Sequence, residues 1–290
     1  HSFSTGITEL IEVPIPKVKD NFLLVESSMS LLSAGTEKML VDFGNANYLG
    51  KAKQQPEKVK EVLEKAKTDG ILATVEAVKS KLETPIPLGY SNVGVVLEIG
   101  KSVRGFNIGD RVVSNGPHSE IFTVSEKLCA KVPENISDET ASFTVISSIG
   151  LQGIRLAKPT FGETFLVSGL GLIGLLTVQL LKGNGCKVLG IDPDEEKCKI
   201  AESFGIETLT LANDVDPIRW CLDKTNGQGV DGVLITASTS SSQPVDLVAS
   251  SSRKKGRIVS IGVTGLNLNR DLFYKKELSF YVSCSYGPGR

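Results

Sequence analysis

Cysteine is scarce in the 290-residue chain, and no two of its five cysteines have Cys-x-x-Cys spacing. They stand at Cys129, Cys186, Cys198, Cys221 and Cys284. An odd number of scattered cysteines is not a disulfide framework, so we expect reduced thiols and a cytoplasmic protein. Most of these side chains are expected to be buried as small hydrophobic groups.

Excess positive charge is also missing, since 32 Lys and Arg residues face 33 Asp and Glu residues. A protein that binds a phosphate backbone needs a basic surface, so nucleic acid is not an expected partner. The most membrane-like stretch, residues 164–181, is interrupted by three glycines and a glutamine. That composition favours a strand, turn and helix over a membrane span, and a small molecule is the expected ligand.

The length exceeds that of one ordinary core and predicts two domains, at residues 1–148 and 149–290. Short apolar or β-branched runs bounded by turn residues predict a β-rich first domain. These runs cover residues 6–13, 22–25, 93–99, 111–113 and 120–124. Between them, residues 46–83 carry apolar residues at helical spacing and predict an insertion of two amphipathic helices. The predicted stripes are Val59, Leu63 and Ala66, then Ile71, Val75, Val78 and Leu82.

From about residue 150, short apolar runs alternate with helical patterns. The predicted strands cover residues 165–168, 187–192, 207–211, 232–236, 257–261 and 278–284, and the clearest helices cover 172–181 and 195–204. Strands that alternate with helices indicate βαβ units and a parallel sheet, so the fold class is α/β.

A glycine-rich turn, Gly169-Leu-Gly-Leu-Ile-Gly174, joins the first of these strands to its helix. In such a turn the first glycine permits the tight bend, the second lets a pyrophosphate approach the backbone, and the third lets the helix pack against the sheet. The helix N-terminus adds amide donors for the phosphates. We therefore predict a dinucleotide site at Gly169, Leu170, Gly171, Leu172, Ile173 and Gly174.

An acidic residue, Asp192, ends the next strand 18 residues beyond Gly174, where the ribose hydroxyls are expected. Its carboxylate would repel a 2′-phosphate and so favours NAD over NADP. Lys197 lies one helical turn further on and either tolerates such a phosphate, which keeps NADP open, or is a solvated helix lysine.

Four segments of the chain resemble the medium-chain dehydrogenase/reductase superfamily, which includes the zinc alcohol dehydrogenases. They cover residues 33–37, 87–100, 105–113 and 162–174. Their sequences are Ser33-Ala-Gly-Thr-Glu37, Pro87-Leu-Gly-Tyr-Ser-Asn-Val-Gly-Val-Val-Leu-Glu-Ile-Gly100, Gly105-Phe-Asn-Ile-Gly-Asp-Arg-Val-Val113 and Gly162-Glu-Thr-Phe-Leu-Val-Ser-Gly-Leu-Gly-Leu-Ile-Gly174. The resemblance implies a GroES-like β-rich catalytic domain followed by a Rossmann domain. It also implies a nicotinamide pocket lined by two strand ends, at Thr236 and Ala237 and at Ile261, Gly262 and Val263.

The chain departs from the family at the zinc ligands. A catalytic zinc needs three side-chain ligands, but the family's cysteine position is Ala34, its histidine position is Tyr90 and the adjoining glutamate is Ser91. The third ligand position falls near Thr144, and the four-cysteine structural lobe is missing. We therefore expect no zinc.

The resemblance suggests other residues for the proton chemistry. Thr36 either matches the family's hydroxyl residue, which relays the proton of the alcohol, or forms part of a β-turn. Tyr90 either donates to the substrate oxygen or fills the vacated site. His118, in a loop, either titrates during the reaction or is structural. Glu37 matches an acid that lies behind the metal ligands in the family and whose usual partner is missing here.

The leading hypothesis is a zinc-independent NAD(P)-dependent oxidoreductase acting on an alcohol or carbonyl, for example in a sugar or nucleotide-sugar derivative. The alternatives are a non-catalytic nucleotide-binding or assembly module and a zinc-dependent alcohol dehydrogenase. The chain resembles the N-terminal module of two-module oxidoreductases, which implies a second, C-terminal oxidoreductase module in the full gene product. The resemblance also implies a homodimer in which strand 278–284 pairs with its twin.

Overall fold

The chain folds as two units, His1–Phe143 and Thr144–Arg290. The computed structural model describes residues 1–69, 71–211 and 215–287. None of the helices in these ranges has the length and apolarity to span a membrane. All five cysteines are free. Burial raises the pKa of the Cys129 thiol to about 12 and that of Cys221 to about 11, so neither is a thiolate at neutral pH.

The first unit is built on a five-stranded antiparallel sheet of order β4-β1-β2-β3-β5. The strands are β1 (Phe22–Ser30), β2 (Asn92–Ile99), β3 (Arg111–Ser114), β4 (Ile121–Ser125) and β5 (Cys129–Lys131). Apolar side chains from four of these strands, with Val103 from a turn, form the core beneath the sheet. This arrangement confirms the β-rich first half.

Within residues 1–69 and 71–143, five α-helices accompany this sheet. They are α1 (Ala34–Asn45), α2 (Tyr48–Gln54), α3 (Pro56–Asp69), α4 (Ile71–Glu83) and α5 (Asp138–Ser142). The two helices predicted within 46–83 correspond to α3 and α4, but that range also holds α2, and the helical segment begins earlier, at Ala34. The side chains of Leu63, Ala66, Ile71 and Val75, which carry much of the predicted stripes, lie outside what the structure describes.

The strand expected at residues 6–13 was wrong. This described segment has no regular secondary structure and pairs with no strand. Its apolar side chains Ile7, Leu10, Ile11 and Val13 are all more than half exposed. A weak alternation of apolar residues makes a strand only where a neighbour accepts its backbone hydrogen bonds.

The second unit contains a six-stranded parallel sheet of order β11-β10-β9-β6-β7-β8. The strands are β6 (Thr164–Ser168), β7 (Lys187–Asp192), β8 (Glu207–Thr210), β9 (Val230–Ile235), β10 (Ser252–Ser260) and β11 (Ser279–Val282). The helices are α6 (Thr144–Ala157), α7 (Leu172–Gly183), α8 (Glu195–Ser203), α9 (Pro217–Asp223), α10 (Gln243–Ser251) and α11 (Arg270–Lys276).

Apolar clusters cover both faces of this sheet. Phe165, Val167 and Leu234 belong to one cluster, whereas Leu166 and Val233 belong to the other. Successive strand residues point to opposite faces, so strands buried on both sides must be apolar throughout. The strand order is that of a doubly wound nucleotide-binding fold, which reverses between β6 and β9. The predicted α/β class is confirmed.

Candidate functional site

The predicted site residues form two groups, one in each unit. In the second unit the glycine turn lies at the carboxyl end of β6, beside the point where the strand order reverses. Gly169 has a φ of 102°, and a side chain there would place its Cβ 2.6 Å from the Ala237 nitrogen. Gly174 is equally constrained, because a Cβ would collide with the Gly169 carbonyl oxygen. These two glycines are therefore required by the turn itself.

The start of α7 leaves donors free for a ligand. Its N-cap is Gly171, and no side chain of the described residues caps its first amides. Those amides have no carbonyl partner within the helix, because the first turn of any helix lacks one. A Cβ on Gly171 would meet nothing within 4 Å, so the space beside this residue is open. The turn fits the pyrophosphate of a dinucleotide.

Asp192 holds the glycine turn as well as ending β7. The residue is 5% exposed, and its Oδ2 accepts the Leu170 amide at 2.7 Å. Its Oδ1 accepts the Asp194 amide at 2.9 Å. The Leu170 side chain is fully buried in the core, so only its backbone can contribute to a ligand site. Each carboxylate oxygen keeps further acceptor capacity for ribose hydroxyls.

Lys197 is paired rather than free. Its Nζ lies 3.2 Å from Asp194 Oδ2 and 3.9 Å from Asp192 Oδ1. The hydrogen bond from Lys197 is the largest cause that lowers the pKa of Asp194. The positive charge is therefore already opposed by two carboxylates.

The remaining predicted residues of this unit lie at neighbouring strand ends. The Thr236 hydroxyl donates to the Gly169 carbonyl at 2.5 Å, and the Ala237 amide donates to Ser168. The amides of Ile261 and Gly262 donate to Ile235. Val263 follows in an exposed loop. The structure thus gathers all of the predicted cofactor residues around the carboxyl ends of β6, β7, β9 and β10.

The group in the first unit is a cluster of hydroxyls around Tyr90. The Tyr90 hydroxyl lies 2.8 Å from Ser33 Oγ and 3.2 Å from Thr36 Oγ1. Ser33 is the N-cap residue of α1, and Thr36 is in the first turn of that helix. The predicted residues Thr36 and Tyr90 are therefore in direct contact, and Ser33 completes their cluster.

His118 and Glu37 form the second part of this group. His118 Nε2 lies 2.9 Å from Glu37 Oε2, and Glu37 Oε1 accepts the Ser33 amide at 2.8 Å. Ser33 thereby links the pair to the Tyr90 hydroxyl. The missing partner of Glu37 is thus His118, and sequence reasoning did not identify this pairing. The only signal for it was the match of Glu37 to the family's acid position.

The backbone around His118 is held from both sides. Its amide donates to the Leu88 carbonyl at 2.7 Å, and the buried Asn92 amide group donates to Pro117 at 2.9 Å. Gly89 has a φ of 91°, and a Cβ there would lie 2.7 Å from the His118 ring. The glycine thus brings the segment before Tyr90 against the imidazole.

The residues at the family's zinc-ligand positions do not fit zinc. Ala34 has no donor atom, and Tyr90 and Ser91 are engaged in hydrogen bonds with Ser33 and Ser142. Across residues 1–69, 71–211 and 215–287, no three His, Cys, Asp or Glu side chains are grouped so that they could hold a metal ion. Zinc needs three such ligands at a catalytic site.

A β-rich unit followed by a doubly wound unit with a dinucleotide-type turn defines a class of two-domain oxidoreductases. Comparison with known proteins agrees with this class. Residues 63–168 match the family model of the alcohol dehydrogenase GroES-like domain, and residues 173–290 match that of zinc-binding dehydrogenases. The chain belongs to the medium-chain dehydrogenase/reductase superfamily, and its relatives support an oxidoreductase of that type.

Individual relatives are distant in sequence and similar in structure. A sorbitol dehydrogenase from Halalkalibacterium halodurans is 26% identical over 242 residues, which are 70% of this chain and 69% of the relative. Galactitol-1-phosphate dehydrogenase from Escherichia coli superposes with a TM-score of 0.76 at 20% identity, over 97% of this chain and 81% of that one. Alcohol dehydrogenase TADH from Thermus sp. ATN1 superposes with a TM-score of 0.76 at 20% sequence identity, over 97% of this chain and 83% of that one.

Proposed function

We propose that the chain is a zinc-independent, NAD(P)-dependent oxidoreductase that interconverts an alcohol and a carbonyl. The observation that carries this proposal is the glycine turn before α7, where no side chain of the described residues caps the helix and the space beside Gly171 is open. The nicotinamide, when bound, supplies hydride transfer. The residues of the chain have to bind the substrate, orient it and handle one proton.

The contacts of Asp192 and Lys197 favour NAD as the cofactor. Asp192 is buried next to the turn, and an added 2′-phosphate would meet its carboxylate. Lys197, which would otherwise attract that phosphate, already lies 3.2 Å from Asp194. We therefore expect tighter binding of NADH than of NADPH.

The hydroxyl cluster of the first unit takes the place of zinc in this proposal. Hydroxyls of Thr36 and Tyr90 would donate hydrogen bonds to the substrate oxygen, where negative charge develops during hydride transfer. The Tyr90 hydroxyl donates to Ser33 Oγ at 2.8 Å, so its one hydrogen would turn from Ser33 to the substrate oxygen when substrate binds. The sorbitol dehydrogenase relative supports a polyhydroxylated substrate, such as a sugar derivative.

The test begins with cofactor binding and proceeds to turnover. Trp220, the only tryptophan, lies in the second unit, so its emission is a probe for NADH. We expect saturable quenching that is stronger with NADH than with NADPH, then NADH oxidation in single-turnover mixing with a panel of sugar-derived carbonyls. Bound NADH without oxidation by any carbonyl would favour the non-catalytic module, and about one zinc ion per chain would contradict zinc independence.

A further inference from the structure

Glu37 is a buried carboxylate whose two oxygens are both fixed. The residue is 5% exposed, and it lies in the first turn of α1. Oε1 accepts the Ser33 amide at 2.8 Å, and Oε2 contacts His118 Nε2 at 2.9 Å. A carboxylate withdrawn from water requires such partners. Among the described residues, the ion-pair partner of Glu37 is His118.

The second nitrogen of the imidazole faces a hydroxyl. His118 Nδ1 lies 2.8 Å from Ser30 Oγ, at the exposed end of β1. An ionised carboxylate only accepts hydrogen bonds, so in the neutral ring Nε2 carries the hydrogen that Glu37 receives. Nδ1 then has a free lone pair, and the Ser30 hydroxyl donates to it. Glu37, His118 and Ser30 thus form a directed chain that ends at an accessible hydroxyl.

The fold does not need these side-chain contacts to hold the loop. Backbone hydrogen bonds from His118 to Leu88 and the bond from Asn92 to Pro117 already fix the segment. The imidazole is therefore an oriented group on an independently held backbone. Such preorganisation is what an acid–base residue requires.

We propose that Ser30, His118 and Glu37 form the proton-transfer unit of this enzyme, an inference that rests on the proposed function. In alcohol oxidation the substrate hydroxyl gives its proton to Ser30 Oγ as the Ser30 proton moves to His118 Nδ1. A bound oxidised nicotinamide would accept the hydride of the carbinol carbon, and the His118 imidazolium then releases its proton to water. The products are the carbonyl, the reduced dinucleotide and one proton, so atoms and charge balance. Glu37 is a positioning residue that fixes the ring and stabilises the imidazolium.

The kinetic test compares three variants with two controls. His118→Asn should lower kcat by roughly 10²–10⁴-fold, the range for loss of a general base, with NADH affinity unchanged. Glu37→Gln and Ser30→Ala should each lower kcat, by smaller factors. Glu26→Gln, on the same strand as Ser30, and Ser102→Ala, at an exposed turn, should leave it unchanged. A His118→Asn variant that keeps the wild-type kcat would overturn the proposal.

Chemical rescue separates proton transfer from a structural role. Added imidazole should restore part of the kcat of His118→Ala, because it can occupy the vacated volume and carry the proton. Imidazole should not restore the kcat of Tyr90→Phe, because this variant loses a hydrogen bond rather than a base. Failure of imidazole to raise the His118→Ala rate, although the variant folds and binds NADH, would count against a base at this position.

A spectroscopic test needs no turnover. The chain has two histidines, so ¹⁵N-labelled imidazole spectra contain few signals. At about pH 8, where histidine rings are ordinarily neutral, His118 should show a protonated Nε2 and an unprotonated Nδ1. Glu37→Gln should disturb this tautomer and Glu26→Gln should not. A wild-type ring protonated at Nδ1 overturns the proton-transfer unit, whereas absent turnover with a correct tautomer counts against the proposed function instead.

Discussion

Gly174 is the residue on which the shape of the dinucleotide turn depends most. A Cβ at this position would collide with the Gly169 carbonyl oxygen, and Thr236 Oγ1 holds that same carbonyl at 2.5 Å. We expect Gly174→Ala to displace the turn, destabilise the second unit by about 1–3 kcal/mol and weaken NADH binding at least about tenfold. The measurements are urea unfolding and NADH titration, both followed by Trp220 emission.

The matched control lies in the same helix. Gly183 ends α7, and a Cβ there would meet nothing within 4 Å. Gly183→Ala should therefore leave NADH affinity unchanged and stabilise the helix by at most about 1 kcal/mol. If Gly174→Ala and Gly183→Ala lost NADH affinity equally, the substitutions would be disturbing helix α7 as a whole rather than the geometry of the turn.

Single residues were predictable from the sequence where their role depends on the local backbone. The glycines of the turn are of this kind, because the positive φ and the close approaches follow from the spacing alone. The pairing of Glu37 with His118 was not predictable, since the two residues are 81 positions apart and meet only after the sheet has formed. Ser30 had no signal at all, because nothing in an exposed strand serine indicates a histidine partner.

The amino ends of the parallel strands are tied together by a charge cluster around Glu163. This residue is just before β6, and Arg257 of β10 donates to both of its carboxylate oxygens, at 2.9 and 2.6 Å. Burial acts to raise the pKa of Glu163, but the hydrogen bonds from Arg257 and Thr160 outweigh it and lower the pKa below its usual value. The carboxylate is therefore more stable ionised in the folded state than in the unfolded chain.

Acid should remove this stabilisation. Because the folded pKa lies below the unfolded one, the contribution is complete above the unfolded pKa, about 4.3 for glutamate. It is lost as the pH falls from there through the folded pKa. Glu163→Gln should lower the free energy of unfolding by about 1–3 kcal/mol at neutral pH. It should also flatten the acid dependence of urea midpoints measured with Trp220.

An exposed pair serves as the control for Glu163. Arg219 Nε lies 3.0 Å from Asp223 Oδ1 within α9, but both side chains are more than 60% exposed. Solvent-exposed pairs contribute little to stability, so Asp223→Asn should change the free energy of unfolding by less than about 1 kcal/mol. If the two substitutions changed the free energy of unfolding equally, the Glu163 cluster would contribute no more to stability than an exposed ion pair.

Whole elements were predictable where burial on both faces imposes an apolar sequence. The four inner strands of the parallel sheet were located for this reason, and only their ends moved, most of all in β10, which begins at Ser252 rather than 257. Helix α1 was missed because Gly35 and Gly44 lower its intrinsic helix propensity and tertiary contacts such as Glu37 with His118 hold it. Residues 6–13 show the opposite error, because their apolar pattern predicted a strand that does not form. No neighbouring strand pairs with this segment.

At the scale of the whole molecule, β11 is an edge that we expect a second copy to cover. It pairs with β10 on one side and is the last strand in the described sheet order. Tyr281 and Val282 are 44% and 62% exposed. An apolar strand with an open edge favours pairing, and two identical edges related by a two-fold axis can pair with each other.

This arrangement predicts a mass in solution of two chains, which Val282→Lys should reduce to one. Lysine at a strand edge opposes pairing, and Val282 is exposed enough for the variant to keep its own fold. Ile108→Lys, at an equally exposed apolar position in the first unit, should keep the mass of two chains. Light scattering on a sizing column checks both. A wild-type mass of one chain would contradict the predicted dimer. If Val282→Lys kept the mass of two chains, the interface would lie elsewhere than at β11.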